Sequence, residues 1–297
     1  MEKLVLGYLY SGKIGRNEES FIKLAKLKNV NLVLLDISKK PGEKDISQMQ
    51  KCDLIYNDSG EDFAINFIRL FEGLGKKVIE SSKAIIQENK WNFFQNCKKN
   101  KIPTPETILL SEDLDIAKNQ LKEFNHWPVI LKRVNGTWGE FVEKAEDIDK
   151  AAEIINRFWQ SGGEKLPVLA QEFIDSFSYR VTFIEDKIVQ TVIKENNNWK
   201  CTGVYARNFK RFEIDSELEE IVKKIMNSFD IKICGIDLLK KDNHWFAIEV
   251  NTEPALDFFE DEREILIGKI IDLLIKYANQ YKIEEIPQII IQTKKDK

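Results

Sequence analysis

Short apolar runs alternate with amphipathic stretches through the first third of the chain. Leu4 to Tyr10, Asn31 to Ile37, Asp53 to Tyr56 and Lys77 to Ile79 have the length and apolar content of buried strands. Glu18 to Leu27 and Asp62 to Leu74 carry the three-to-four-residue spacing of helices packed on one face. This alternation predicts a small parallel α/β domain over residues 1–84. Asn17 is placed to cap the first helix, and Asp62 brings negative charge to the first turn of the second.

A helical pattern from Ala84 to Lys99 runs up to Ile102-Pro103-Thr104-Pro105, where two prolines exclude helix. A domain boundary is expected close by. An α+β unit then spans 85–167. It has a helix over Leu114–Phe124, strands over Val129–Val134 and Phe141–Lys144 joined by a glycine-containing loop, and a helix over Asp147–Gln160 stopped at Ser161-Gly162-Gly163. From Val168 the pattern is strand-rich: Val168–Ile174, Tyr179–Ile184, Ile188–Lys194 and Trp199–Tyr205. A helix over Ser216–Phe229, two further strands and a closing helix over Arg263–Tyr277 complete a third unit, 168–282, and residues 283–297 read as a tail.

Composition narrows the chemistry. The net charge is −4 and the chain shows no basic stripe outside its last few residues, which argues against a nucleic-acid substrate. No window approaches the roughly 20 apolar residues of a membrane span, and the opening apolar run is too short for a signal peptide, so a cytoplasmic protein is expected. The four cysteines have no CxxC spacing, which argues against a disulfide framework or a structural zinc. Neither of the two histidines lies near a nucleophile motif. Neither GxGxxG nor a Walker A loop occurs. Catalysis therefore falls to Lys, Arg and carboxylates.

The most informative segment is Gly235-Ile236-Asp237-Leu238-Leu239, a turn, and Trp245 to Asn251. Side chains alternate along a strand, so Ile236 and Leu238 share one face and Asp237 takes the other. On the return strand, Phe246, Ile248 and Val250 form the expected apolar set, leaving Glu249 and Asn251 opposite. With both apolar sets in the core, the register must pair Asp237 with Glu249, because a one-residue slip would bury the polar set. Two adjacent carboxylates repel unless a cation lies between them. A magnesium ion, which takes a few carboxylate oxygens and completes its shell with water and phosphate, resolves the conflict. The plainer alternative is an acidic, solvent-facing hairpin surface.

Lys132 lies in the apolar strand Val129–Val134 and is followed by Asn135-Gly136-Thr137-Trp138-Gly139, whose glycines let backbone N–H groups approach an anion. Simple turn chemistry accounts for this loop equally well when it is taken alone. Lys90, in a helix with Trp91 and Phe93, and Arg180, on a strand, are by themselves either ligands or solvated residues. Lys194, Lys200, Arg207, Lys210 and Arg211 form a basic wall that would face the acidic hairpin and hold anionic groups, unless they are only solvated surface residues.

Taken in order, these segments resemble the ATP-grasp superfamily, in particular the RimK-type and LysX-type ligases, over nearly the whole chain to about Tyr277. Tyr8-Leu9-Tyr10 with Arg16-Asn17-Glu18-Glu19 is similar to the LysX-type opening, and Glu88-Asn89-Lys90 before Ile102-Pro103-Thr104-Pro105 to the lysine and its "PTP" turn. Pro128 to Gly139 resembles the phosphate lysine and its glycine loop, and Gln171-Glu172-Phe173-Ile174 the adenine linker. The most specific match is Gly235 to Leu239 with Ile248-Glu249-Val250-Asn251, the magnesium signature. The implied fold is a Rossmann-like parallel domain followed by a two-subdomain ATP-grasp fold. The implied site has Lys90, Lys132, Gly136, Thr137, Trp138 and Gly139 on ATP phosphates and Glu172, Phe173 and Ile174 on adenine. It places Asp237, Glu249 and Asn251 on Mg2+, with Mn2+ as an alternative ion.

The implied activity is ADP-forming carboxylate–amine ligation through an acyl phosphate, with Arg180, Lys200 and Arg207 stabilising negative charge. An amino acid such as glutamate and a carboxylate-bearing small molecule, peptide or carrier protein would be the substrates, and a homo-oligomer is compatible with the pattern. The chain departs from its relatives at Lys200, which replaces an arginine, at Thr202, which replaces an asparagine, at Ser178, which replaces an aspartate, and at Arg207, which comes late and lacks the following glycine pair. A kinase acting on a hydroxyl and a nucleotide-binding regulator without turnover are the competing expectations.

Overall fold

The computed structural model describes residues 3–136, 139–161, 165–195, 199–200 and 208–293, with side chains to residue 282. The N-terminal region consists of β1 (Val5–Tyr10), α1 (Arg16–Leu27), β2 (Asn31–Asp36), α2 (Glu43–Met49), β3 (Leu54–Asn57), α3 (Ala64–Gly73) and β4 (Val78–Ile79). Its four strands pair in parallel in the order β2-β1-β3-β4. Helix α2 was not foreseen, and α1 begins differently from expectation. Gly15 is its N-cap and the Glu18 carboxylate accepts the Gly15 N–H at 2.9 Å, so Asn17 lies inside the helix rather than capping it.

The expected helix over Ala84–Lys99 is broken. It divides into α4 (Ser82–Ile85), a 3-10 turn (Ile86–Glu88) and α5 (Lys90–Lys99). Asn89 causes the restart: its backbone is extended and its Oδ1 accepts the N–H groups of Trp91 and Asn92, each at 3.1 Å. Lys90 thereby becomes the first residue of a new helix.

The second region contains β5 (Thr107–Leu109), α6 (Leu114–Phe124), β6 (Val129–Arg133), β7 (Val142–Ala145), α7 (Ile148–Gln160) and β8 (Val168–Glu172). Its strands form an antiparallel sheet in the order β5-β8-β6-β7, covered by α6 and α7 through Ala117, Leu121, Ile154, Ile155 and Phe158. The strand from Val168, expected to open the third unit and run to Ile174, instead pairs with β5 and β6 in this sheet and ends at Glu172, leaving Phe173 and Ile174 beyond it.

The third region contains β9 (Ser178–Ile184), β10 (Lys187–Glu195), β11 (Asn208–Lys210), α8 (Ser216–Phe229), β12 (Ile233–Lys241), β13 (His244–Asn251) and α9 (Glu260–Thr293). The five strands form a sheet in the order β11-β10-β9-β12-β13. Trp199 and Lys200 are not in a strand, and the rest of the strand expected there lies outside the described residues. Helix α9 passes the point where a tail was expected and runs to Thr293. It packs against the N-terminal region, where Leu266, Ile267, Ile270, Ile271 and Leu274, spaced at three and four residues, join Phe21, Ala25, Leu6 and Tyr8 in one core. No described helix is long and apolar enough to cross a membrane.

Two faces of the five-stranded sheet do different work. One packs Val181, Phe183, Ile236, Leu238, Trp245, Ala247 and Val250 against Phe93 and Cys97 of α5 and Leu218, Val222, Ile225 and Phe229 of α8. Burying this apolar set anchors the sheet; truncating Trp245 alone would cost about 3–5 kcal/mol. The opposite face buries Ile184 and Ile233 against the α9 core at one end and is polar around Arg180, Asp237 and Glu249, where the candidate site lies.

Candidate active site

Asp237 pairs with Glu249 across β12 and β13, and with Arg180 across β12 and β9. Directly paired residues point to the same side of a sheet, so Arg180, Asp237 and Glu249 form one row across three strands. Gly235 pairs with Asn251, which sets Asn251 on that face too. The route to this arrangement differs from the expected one. A bulge between Asp237 and Leu238 pairs Leu238 with Ala247 and leaves Ile248 extra, so Trp245, Ala247 and Val250 enter the core, while Phe246 and Ile248 are only half-buried.

Asp237 is not bare. Arg180 binds it through two bonds, Nε to Oδ1 at 2.6 Å and Nη2 to Oδ2 at 2.7 Å, and Lys194 Nζ adds a third to Oδ1 at 2.7 Å. Burial alone would raise the Asp237 pKa, but the two cations overcome it and hold the carboxyl well below the usual range. Gly235 makes room for this fork: a Cβ there would meet Pro254 Cβ at 3.2 Å and Arg180 Cδ at 3.3 Å. Lys194 lies on the same face because its strand neighbour across β9 is Ser178, two residues from Arg180.

The second cationic arm comes from α5 and β6. The Lys90 N–H donates to the Val134 carbonyl at 2.9 Å, its Nζ donates to the Gly136 carbonyl at 2.9 Å and lies 3.6 Å from Glu249. Lys132 Nζ donates to Gln171 Oε1 at 2.8 Å, Gln171 Nε2 to Thr107 Oγ1 at 2.8 Å, and Thr107 to the Pro105 carbonyl at 2.9 Å. This chain fixes the direction of every donor. Burial and the neighbouring Lys90 charge push the Lys132 ammonium down to about 8, with Glu249 opposing them.

Four cations thus lie within electrostatic reach of Glu249: Lys90, Lys132, Arg180 and Lys194. Their exposures are 8%, 5%, 8% and 2%, against 5% for Asp237. Buried charges are rarely left unbalanced, and the carboxylates that act on these cations, Asp237, Glu249 and Glu88, number one fewer than the cations themselves. Glu88 itself is tied down, accepting the N–H and hydroxyl of Thr252 immediately after Asn251. The surplus is positive, which suits a polyanion.

The same face holds oxygens of the kind a hard divalent ion takes, with both Asp237 oxygens accepting Arg180 or Lys194 in this structure. Among the described residues no group of three His, Cys, Asp or Glu side chains gathers at metal-binding distance; the oxygens this face offers are those of Asp237, Glu249 and the Asn251 amide. Asn251 Nδ2 is buried without a hydrogen-bond partner, so this amide is not committed elsewhere through its nitrogen.

At the far end of β8, Glu172 pairs with Lys241 at 3.1 Å, and its N–H donates to the Glu106 carbonyl at 2.8 Å. Phe173 is half-buried, with Lys144 Nζ 4.9 Å from its ring centre and Trp199 in an edge-on contact at 6.5 Å; Ile174 is buried. Gly136 and Gly139 both have positive φ, 128° and 71°, as a tight loop beside Lys90 requires. Lys200 is partly buried, which lowers its ammonium pKa. Thr137, Trp138 and Arg207 lie outside the described residues, as do Cys201 and Thr202. Sequence reasoning did not single out Gln171 as the partner of Lys132 or Glu88 as the partner of Thr252. A polar residue in an otherwise apolar strand was the available signal for Gln171.

The sequence model of the RimK-like ATP-grasp domain matches residues 87–274. A coenzyme γ-F420-2:α-L-glutamate ligase from Methanococcus maripaludis is 28% identical over 244 residues, covering 76% of this chain and 83% of the relative. Among solved structures, a RimK-domain ATP-grasp protein from Sphaerobacter thermophilus superimposes with a TM-score of 0.71 at 15% identity, covering 91% of this chain and 99% of that one. A D-alanine–D-alanine ligase from Bacillus anthracis gives 0.73 at 14% identity, covering 95% and 99%. The chain belongs to the RimK-like ATP-grasp family and is an ATP-dependent ligase that joins a carboxylate to an amine.

Proposed function

We propose that the protein adds an amino acid, glutamate first among the candidates, to a carboxylate-bearing acceptor, with ATP held between the sheet carrying Lys132 and the sheet carrying Asp237. The observation that carries this reading is the surplus of buried cations around Glu249. Lys90 and Lys132 bind phosphate oxygens, Phe173 and Ile174 border the base, and Glu172 contributes its backbone carbonyl or side chain. Asp237, Glu249 and Asn251 hold Mg2+, or Mn2+, which would neutralise phosphate charge when bound. The choice of glutamate draws on the methanogen relative, a glutamate ligase.

In this reading an acceptor carboxylate oxygen attacks the γ-phosphorus as the bond to the ADP oxygen breaks. The ammonium loses one proton to solvent, its nitrogen attacks the acyl carbon, the acyl C–O bond breaks with its electron pair leaving on inorganic phosphate, and the nitrogen passes a second proton to that phosphate while keeping the amide N–H. Arg180 faces the developing negative charge in both steps, and Lys200 and Arg207 are proposed to assist it. A cleft closed to water protects the acyl phosphate from hydrolysis. Cytoplasmic placement, a carrier-protein acceptor and a homo-oligomer remain part of the proposal.

The test is ADP release with pooled amino acids and carboxylates in the presence of Mg2+. Release should need both an amine and a carboxylate, and Glu249→Ala should reduce it by at least a thousandfold while the circular dichroism spectrum is unchanged. ADP release on a hydroxyl compound without any amine would favour a kinase. Tight ATP binding with no turnover on any pair would favour a regulator.

A further inference from the structure

The trio Arg180–Asp237–Lys194 carries more positive charge than its carboxylate can neutralise, and it does so under cover. Arg180 holds both oxygens of Asp237 in a rigid fork, whereas Lys194 makes one bond, at 2.7 Å, to the oxygen that already accepts Arg180 Nε. Oδ1 therefore accepts two donors, which leaves it poorly placed to coordinate an ion. Any cation approaching Oδ1 must first remove one of them. The lysine, with a single bond on a flexible stem, is the easier to release. Solvent is not open to it, since Lys194 is 2% exposed and the Phe258 ring centre stands 6.0 Å from Nζ and 5.8 Å from the Arg180 guanidinium carbon. A displaced ammonium stays in the cleft, on the face it shares with Glu249.

We propose that in the nucleotide-free protein Lys194 stands in for the divalent ion on Asp237, and that on nucleotide binding its ammonium transfers to the phosphoryl group in transit. This inference rests on the metal assignment proposed above and adds a role for a residue that assignment does not use. A divalent ion arriving alone would raise the buried charge around Asp237 further; one arriving with a polyphosphate would not. The protein should thus take up metal together with nucleotide rather than before it, and Lys194 enforces that order.

The experiment measures Mn2+ binding to the full chain by the electron paramagnetic resonance signal of free Mn2+, with and without a non-hydrolysable ATP analogue, for wild type, Lys194→Met and Lys194→Gln. Without nucleotide, Lys194→Met should bind Mn2+ at least tenfold more tightly than wild type, with Lys194→Gln following in the same direction. With saturating ATP, both variants should form ADP at least a hundredfold more slowly, with KM for ATP changed less than threefold. Lys194→Arg should recover part of the rate. If the nucleotide-free Mn2+ affinity of both charge-removing variants is unchanged or weaker, the stand-in role is wrong. Wild type that binds Mn2+ only with nucleotide, beside unchanged variants, would overturn this inference while leaving the metal assignment standing. Failure of every protein to bind Mn2+ even with nucleotide would overturn both. If Lys194→Met does not fold, the Lys194→Gln measurement decides alone.

Discussion

Asp237 in the cleft and Glu80 at the seam between the N-terminal and third regions are both buried carboxylates, 5% and 3% exposed, yet they sit at opposite ends of the ionisation scale. Asp237 has two cations on its oxygens and stays ionised. Glu80 Oε1 accepts the backbone N–H groups of Lys232 at 2.9 Å and Ile233 at 2.7 Å. Burial outweighs those two dipoles and raises it to about 8. Equal removal from water therefore gives opposite charge states, and the formal charge of the nearest partners decides between them. The cleft is built to hold charge, the seam to exclude it.

The largest effect should come from removing the anion of the cleft. Asp237→Ala leaves Arg180 and Lys194 buried without a carboxylate, and chemical denaturation should show a loss of about 3–5 kcal/mol. A loss under 1 kcal/mol would mean the two cations find other partners at no cost. Next in size is the seam. The folded-state pKa of Glu80 is raised above the ordinary 4.5, so the folded protein holds the extra proton between about 4.5 and 8. Its contribution is fullest below that window and is lost as the pH rises through it, with a slope of at most about 1.4 kcal/mol per pH unit. Glu80→Gln, which keeps an acceptor oxygen, should flatten the stability profile between pH 5 and 8; an unaltered profile would place the proton elsewhere.

A smaller effect is expected for ligand binding. Lys132 is depressed to about 8, so above that pH the free protein must take up a proton to meet a phosphate with a charged ammonium. Affinity for ATP, measured by calorimetry in buffers of different ionisation enthalpy, should fall several-fold from pH 7.5 to 9, with proton uptake. Lys132→Met should bind more weakly at all pH values and lose the dependence. Smallest is Asn89→Ala, which removes the cap that restarts the chain at Lys90 and should cost about 1 kcal/mol. A change of that size should lower the melting temperature slightly and weaken ATP binding through Lys90; an effect on neither would show that Lys90 needs no separate helix start.

The fold class was legible because apolar periodicity reports burial directly, and most of the chain buries one face at a time. The pairing of Asp237 with Glu249 followed from the same logic. What escaped was whatever depends on a partner far along the chain or on one extra residue. Ile248 breaks the alternation of its strand with no glycine or proline to announce it, so Phe246 and Ile248 looked like core and Trp245 and Ala247 did not. Glu80 and Glu88 meet partners more than 150 residues away, at Lys232 and Thr252, and no local pattern carries that information. Asn89 is different: an asparagine before a helical run is a cap signal, and it lay hidden inside a longer stretch that also read as helix. Arg180 and Lys194 read as groups to hold anionic charge or, equally, as solvated strand residues; that they share one buried carboxylate emerges only from the register of three strands.

Glu88 binds Thr252 at the end of β13, and two residues later Lys90 hands its amide hydrogen to Val134 at the end of β6. The start of α5 is thus moored to both walls of the cleft at once. Any shift of one wall against the other would have to strain one of these two bonds, so the first turn of α5 ties the two sheets together at the lysine end of the cleft.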